Sequence, residues 1–541
     1  MSVAAHVGAR LETVAPRKVT DSTDRLWLAL LVILAIIVHA WLIAHTSVTA
    51  RDSVGFARTA LQLEHPRTAG FPGGLTEVLR RAQHPPGYPL SVLATAHVVR
   101  MVYPADVPTQ MILSTQIASG IAAVLLIFPS YWLGRMLYGK FAGFATALLF
   151  QVLPVPARIT SDGLTEALFL LSLSTALMLG VRAIRKPGIG GFLLCGLTVG
   201  ASYLVRPEGL LSGFVVGVTA LGLALTRRWL WGPTAGRVTA LGVGVILSAL
   251  PYMILIGGVT NKPTVEGMLP KFLRSPREMI SDVGPTRPLF AAWYDEKTDG
   301  SKPVWVLKAL TTETTKTFHY VPAALALIGF IVSLRRAKDE PAMWIPILYV
   351  TLMTMVLIVL AYRGQSDHGA ERRSYLSERH TTSIVYVSCV FVAAGLLQLP
   401  TLLGRLPGIG SMLNRESVPG IALAIIVASC IPSLMKSMHE GRLGHIYAGR
   451  YLAEHMQPED SLVDPFEWAK FYSGRSLYTI PTDNPDSKIV YAVLEQSKDE
   501  NPHSRLPALE QAMNISRDGR SVVVFRYPEE NPKVLVYKLS R

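Results

Sequence analysis

Five short polar clusters interrupt an otherwise apolar chain, and their residue types suit acid–base and phosphate chemistry. They are RDS at 51–53, HPPGYP at 84–89, SDGLTE at 161–166, VRPEG at 205–209 and SERH at 377–380, the last preceded by an Arg-rich stretch over 363–375. Asp52 stands just beyond the first long apolar run. A partly desolvated carboxylate at a membrane interface gains basicity and can act as a general base. It can equally be the N-cap of a helix that begins at Ser53. Pro85, Pro86 and Pro89 each fix φ and restrict the residue before them, so HPPGYP reads as a rigid turn. Such a turn would hold His84 as a phosphate ligand or acceptor-site donor, with Tyr88 as a further substrate contact. Ser161 or Asp162 can cap a helix starting at Leu164, with Glu166 in its first turn. Asp162 and Glu166 are also four residues apart, on one helical face, where they could contact a sugar hydroxyl or, less readily, a metal. Arg206 can pair with Glu208, or its planar fork can grip a lipid phosphate. Arg379 and His380 have the same two readings.

What must position these residues is a membrane bundle. The chain has 541 residues, half of them hydrophobic, and a mean hydropathy of +0.34. Apolar runs recur at the roughly 17–25 residues needed to cross a hydrocarbon core of about 30 Å, and in lipid such runs must be helices. Spans are expected at 26–46, 110–134, 141–157, 164–182, 189–205, 209–226, 236–257, 318–334, 342–362, 382–399 and 417–436. The formal charge of +14 is not a nucleic-acid signal, because Lys and Arg lie mainly in loops between spans. Arg135, Lys140, Arg182, Arg185, Lys186, Arg227, Arg228, Arg335, Arg336, Arg405 and Arg415 fall on one side with the basic tail 1–25, which makes that side cytoplasmic. All five clusters then lie on the opposite face, together with two long loops, 47–109 and 258–317. Residues 53–64 in the first loop have the pattern of a helix lying along the membrane surface, and 304–320 in the second read as an amphipathic helix leading into the next span.

From about 437 the composition changes. A helical segment over GRYLAEHM precedes short Val- and Tyr-rich runs separated by turn residues, which predicts a small α/β domain over 437–541. Cys195, Cys389 and Cys430 all sit in apolar runs, with no CxxC pair, so neither a disulfide framework nor a zinc site is indicated. The first apolar run is long and lacks a small-residue cleavage site, so it reads as a retained span. The fold class expected is an α-helical polytopic membrane protein with about eleven transmembrane helices and a small C-terminal extracytoplasmic α/β domain.

At these clusters the chain resembles the multispanning glycosyltransferases of the GT-C fold, above all the group of protein O-mannosyltransferases and the lipid A aminoarabinose transferase. The resemblance is carried by RDSVGFARTA with Asp52 at the acid position, HPPGYPL, SDGLTEALFLL, YLVRPEGLL and SERH, over residues 26–400. Ser53 stands where many mannosyltransferases have a second acid, and Phe56 where a Tyr is common, which leaves the acceptor type open. The resemblance implies inverting transfer of a hexosyl or pentosyl group from a polyprenyl-phosphate donor to an extracytoplasmic protein, lipid or glycan. Asp52 would deprotonate the acceptor, and Arg206, Arg379 and His380 would stabilise the leaving lipid phosphate. It implies no metal and no other cofactor, partners limited to donor, acceptor and membrane lipids, and a place in the plasma (inner) membrane. Two other classes compete: a secondary transporter or lipid flippase, and a non-catalytic envelope assembly protein. The odd span count predicts that a reporter fused after Arg541 is active only outside the cytoplasm; cytoplasmic activity would reverse the face of every cluster.

Overall fold

The structure is a computed structural model and describes residues 22–261, 291–363, 374–404, 416–479, 487–496 and 506–541. The basic tail, residues 262–290 of the second long loop and most of the 363–375 stretch lie outside these residues. α1 (Ser22–Ala44) is followed by three helices in the first long loop, α2 (Arg51–Glu64), α3 (Leu75–Arg81) and α4 (Gly87–Val102). Then come α5 (Val107–Leu125), α6 (Ile127–Tyr138), α7 (Lys140–Val152), α8 (Pro154–Ile159), α9 (Glu166–Arg185), α10 (Ile189–Tyr203), α11 (Leu210–Leu225) and α12 (Trp231–Ile256). After strand β1 (Ala291–Trp293) follow α13 (Glu296–Asp299), α14 (Lys302–Thr317), α15 (Val321–Arg336) and α16 (Trp344–Arg363). Strand β2 (Tyr375–Ser377), which pairs antiparallel with β1, leads into α17 (Glu378–Leu403) and α18 (Val418–Leu434).

A helix stands at each of the eleven expected spans. Among the described residues, seven spans are long and apolar enough to cross a membrane, α5 and α6 counting as one and the turns at 207–209 and 341–343 included, or eight if the bent pair α14–α15 is a single span. The apolar helices α7, α10 and α18 have only 13, 15 and 17 residues, which at about 1.5 Å per residue falls short of the hydrocarbon thickness. α14 stands at the amphipathic helix expected over 304–320, and the chain bends by 107° between it and α15. α4 is an element that the sequence reading left inside a loop. Its exposed Met101 and Val102 leave an apolar end uncovered by protein.

The two ends of the bundle differ in chemistry. At one end the basic short loops meet acids and backbone. Arg135 pairs with Asp24 at 2.8 Å, Arg185 with Glu340 at 3.2 Å, and Arg228 donates to the Lys338 carbonyl at 2.7 Å. At the other end lie the polar clusters. Between the ends, α15 and α17 cross at glycines: a Cβ on Gly329 would lie 1.8 Å from the Phe391 carbonyl oxygen, and one on Gly395 2.2 Å from that of Leu325. Small residues let membrane helices approach backbone to backbone and gain dispersion contact where lipid offers no hydrophobic drive.

The C-terminal unit is a four-stranded sheet, ordered β3 (Ser461–Val463), β4 (Ile489–Glu495), β6 (Val534–Ser540), β5 (Ser521–Tyr527), with β3 parallel to β4 and the others antiparallel. Strand periodicity sorts its side chains between two helices. Leu462, Tyr491, Val493 and Val536 pack on α19 (Leu443–His455), while Val463, Val490, Ala492 and Leu539 pack on α21 (Leu506–Arg517), a helix not foreseen from the sequence. The short α20 (Trp468–Tyr472) joins the membrane helices, since Phe466, Trp468, Phe471 and Tyr472 belong to the same buried apolar cluster as the bundle.

The α15–α17 crossing generates a prediction. Gly329→Val would force two backbones apart, an overpacking that costs about 1–3 kcal/mol or more. The purified variant should melt at a lower temperature than the parent and yield less monodisperse protein. An unchanged melting temperature would show that the crossing is looser than described.

Candidate active site

Local structure decides what each acid can do. α2 begins at Arg51 with Ala50 at the N-cap position and no side-chain cap bond. Asp52 therefore lies inside the first turn and does not cap a helix starting at Ser53. A carboxylate there is favoured by the helix dipole, and 45% of the side chain is exposed. The SDGLTE segment also departs from expectation. Gly163 adopts a left-handed φ of 68°, which costs little without a Cβ, and the chain turns there before α9 starts at Glu166 behind Thr165. Neither Ser161 nor Asp162 caps a helix at Leu164, and Asp162 does not share a helical face with Glu166. Instead the Asp162 carboxylate accepts from the Ala50 N–H at 3.0 Å and lies 3.1 Å from His439 Nε2, while Ser53 donates to the Asp162 carbonyl at 2.8 Å. Asp162 thus brackets the start of the helix that carries Asp52.

Glu166 is the centre of an ion network. Its side chain is 3% exposed. Arg206, from the break between α10 and α11, donates to Oε1 at 2.9 Å and also reaches Glu208 at 3.5 Å. Arg379, in the first turn of α17, donates from Nε to Oε1 and from Nη2 to Oε2 of Glu166, and from Nη1 to Oδ2 of Asp52. Four chain segments, around 52, 166, 206 and 379, meet here. Pairing and phosphate binding by the arginines were opposed readings of the sequence; both arginines are paired, and they converge on one carboxylate. Burial pushes the Asp52 carboxyl up, but the adjacent, hydrogen-bonded Arg379 guanidinium, with Arg51 and His84, outweighs it and holds the group below the usual carboxylate range.

Two cavities flank this network. A cleft of about 220 Å³ is lined by Arg51, Asp52, Phe56, Arg81, His84 and Glu467 among others. A second, much smaller space of about 20 Å³ is lined by Glu166, Phe169, Arg206, Glu208, Arg379 and His380 among others. His84 lies in the open cleft against Phe56, ring centroids 5.2 Å apart. The turn that carries it is pinned to the Arg206 loop, because the Gly87 N–H donates to the Leu204 carbonyl at 2.8 Å and a Cβ on Gly87 would lie 2.6 Å from that oxygen. Tyr88 is fully buried and donates to the Thr115 carbonyl at 2.9 Å, which keeps its hydroxyl inside the bundle. His380 Nδ1 accepts from the Ser377 N–H at 3.2 Å in a capping box at the start of α17. Among the described residues no three His, Cys, Asp or Glu side chains are grouped as metal ligands.

Four residues of this region were not singled out from the sequence. His39, buried in α1, contacts Ser161 Oγ at 2.7 Å and Gln151 at 2.8 Å. A histidine inside an apolar span was a signal in itself. His439 holds Asp162 from the C-terminal side. Arg58 and Glu467 form an ion pair at 3.0 Å with both side chains at most 10% exposed, and Glu467 has a left-handed φ of 71°. Arg58 also donates to the Ser476 carbonyl at 2.8 Å, and Gln62 to that of Tyr478 at 2.6 Å. These contacts span some four hundred residues of sequence, and no local pattern announces them.

The described helices include several long and apolar enough to cross a membrane, and their arrangement is the fold of solved GT-C enzymes. Residues 101–254 match the family of dolichyl-phosphate-mannose-protein mannosyltransferases. ArnT from Cupriavidus metallidurans, bound to undecaprenyl phosphate, superposes over 95% of this chain and 98% of its own with a TM-score of 0.57 at 13% identity. The archaeal oligosaccharyltransferase AglB from Archaeoglobus fulgidus, in complex with an inhibitory peptide and a dolichol-phosphate, superposes over 87% of this chain and 70% of its own with a TM-score of 0.55 at 12% identity. At such identities the likeness is one of fold. No curated protein matches the chain by sequence.

Glu166→Gln would leave two arginines facing a neutral amide. Losing charge-assisted hydrogen bonds and leaving partly buried cations unpaired should lower stability by about 1–3 kcal/mol, read as a lower melting temperature. A variant as stable as the parent would mean that the arginines find other partners at no cost.

Proposed function

We propose that the protein is an inverting glycosyltransferase that moves a sugar from a polyprenyl-phosphate donor to an acceptor at the extracytoplasmic face of the plasma (inner) membrane, with its N-terminus in the cytoplasm. The observation that carries the reading is the convergence of Arg206 and Arg379, 173 residues apart in the sequence, on one buried carboxylate beside Asp52. Two arginine forks at the outer ends of membrane helices suit a lipid-borne phosphate, which they can bind bidentately. The named ligands of ArnT and AglB, undecaprenyl phosphate and a dolichol-phosphate, have that chemistry. A transporter would place its polar groups near the bilayer midplane, whereas these gather at one end of the bundle.

Asp52 is the candidate base because of the three acids it alone is open to a cleft: its side chain is 45% exposed, against 9% for Asp162 and 3% for Glu166. In the reaction Asp52 takes the proton from the acceptor nucleophile, whose freed electron pair attacks the anomeric carbon from the cleft side. The bond from that carbon to the phosphate oxygen breaks, and its electron pair leaves on the lipid phosphate. Arg206 and Arg379 stabilise the charge that develops there, with His380 at the rim of the smaller cavity. His84 contacts the acceptor in the cleft. Because two fixed cations do this work, the reaction is proposed to need no divalent metal. The sugar and the acceptor class stay undefined in this reading.

Asp52→Asn tests it with purified protein and a polyprenyl-phosphate sugar. Transfer should fall by roughly 10²–10⁴-fold, the usual contribution of a general base, while the protein stays folded. Chelation by EDTA should leave transfer by the parent unchanged. Near-normal transfer by Asp52→Asn would remove Asp52 from the mechanism.

A further inference from the structure

Arg379 presents a difficulty for the mechanism just given and a way out of it. An ion-paired carboxylate is a weak base, and Asp52 is ion-paired. The guanidinium has five N–H donors in two forks. One fork, Nε with Nη2, is engaged by the two oxygens of Glu166. The other, Nη1 with Nη2, is the one left to bind a phosphate, and Asp52 holds it through Nη1. A phosphate and Asp52 therefore compete for the same edge of the same side chain. The groups facing Asp52 are Arg379 from α17, Arg51 from its own helix and His84 from the turn before α4. Glu166, on α9, shares Arg379 and is itself held by Arg206. Glu166 thus keeps Arg379 in place whichever partner its open fork takes.

We propose that Arg379 holds Asp52 when the donor is absent and exchanges it for the donor phosphate, so that the base is released only in the loaded enzyme. The inference rests on the reading of Arg379 as the phosphate ligand and adds an order of events to it. The donor lipid binds first. Its phosphate takes the Nη1–Nη2 fork, and Asp52, freed from the ion pair but still in the first turn of α2, turns to the cleft. Departure of the lipid phosphate restores the lock.

Competition for one fork has a measurable sign. The probe is polyprenyl phosphate without sugar, and the readout is its affinity for the full-length protein in nanodiscs. Removing the competitor should tighten binding, so Asp52→Asn and Asp52→Ala should each bind the probe about two- to fivefold more tightly than the parent, the worth of a partly exposed ion pair. Polyprenol, which lacks the phosphate, should bind all three alike. In an Arg379→Gln background the gain from Asp52→Asn should vanish, because the two residues act through one contact. Unchanged or weaker binding by both Asp52 variants overturns the exchange. So does a gain that persists without Arg379, which would be plain charge repulsion between Asp52 and the phosphate. These outcomes are separable from the fate of the functional reading. Transfer lost with affinity unchanged ends the exchange alone, whereas transfer retained by Asp52→Asn ends the assignment of the base.

Discussion

The arrangement at the polar end depends on one buried carboxylate. Glu166 lies at the N-terminus of a membrane helix, where the helix dipole favours its charge, but a buried charge is costly unless it is paired. Two arginines pair with it, and each comes from a place that needs explaining. Arg206 occurs where the chain breaks between α10 and α11, at a Pro that opens a single 3₁₀ turn. Arg379 sits in the first turn of α17, the positive end of that helix dipole, where a cation is disfavoured. Glu166 makes that position tenable. Without it, two guanidiniums would lie within reach of each other at the edge of the hydrocarbon, a costly placement.

The rest of the bundle explains how these ends come to meet. The glycine crossing of α15 and α17 fixes the approach of the helix that bears Arg379. His39 ties α1 to the 161 turn, so the first span and the loop before α9 are set together. The basic loops collect at the far end, where ion pairs and backbone acceptors neutralise them. The described residues thus separate basic loops at one end from the five polar clusters at the other.

Much of this was legible in the sequence, and the gaps have physical reasons. The spans showed in run length and composition, because lipid imposes helix and apolarity together. The five clusters stood out as polar residues at helix ends, and the spans' alternation put them on one face. The pairing was not legible: Arg206 with Glu208 is local and was foreseen, but the bridge from Arg379 to Glu166 and Asp52 joins residues 213 and 327 positions apart. The capping signals misled in two places. Ala50 rather than Asp52 precedes α2, and Gly163 delays α9 to Glu166, because tertiary contacts with Ala50, Ser53 and His439 claim the side chain and backbone of Asp162. Tyr88 looked like a substrate contact from its neighbours, but the turn that positions His84 also drives the next residues into the bundle. α4 escaped notice because a helix of 16 residues is too short to read as a span and lay inside an apparent loop.

The C-terminal unit bears on the same point from outside the bundle. Asp52 is carried by a helix in a loop, not by a span, and the base proposed for it needs support from neighbours to keep its geometry. That support is supplied at both ends of α2. Just before it, residues 45–47 pair with Met438 in a short parallel bridge, and His439 holds the Asp162 bracket. Further along, Arg58 and Gln62 are fastened to 467–478 by an ion pair and backbone carbonyls. The left-handed backbone at Glu467 is a strained conformation for a residue with a side chain, of the kind that persists only where the surroundings over-determine it. Here the strain directs a carboxylate onto Arg58 in the wall of the cleft. A domain that only decorated the outer face would have no reason to grip this one helix. The C-terminal unit is instead part of the frame that sets where Asp52 meets whatever enters the cleft.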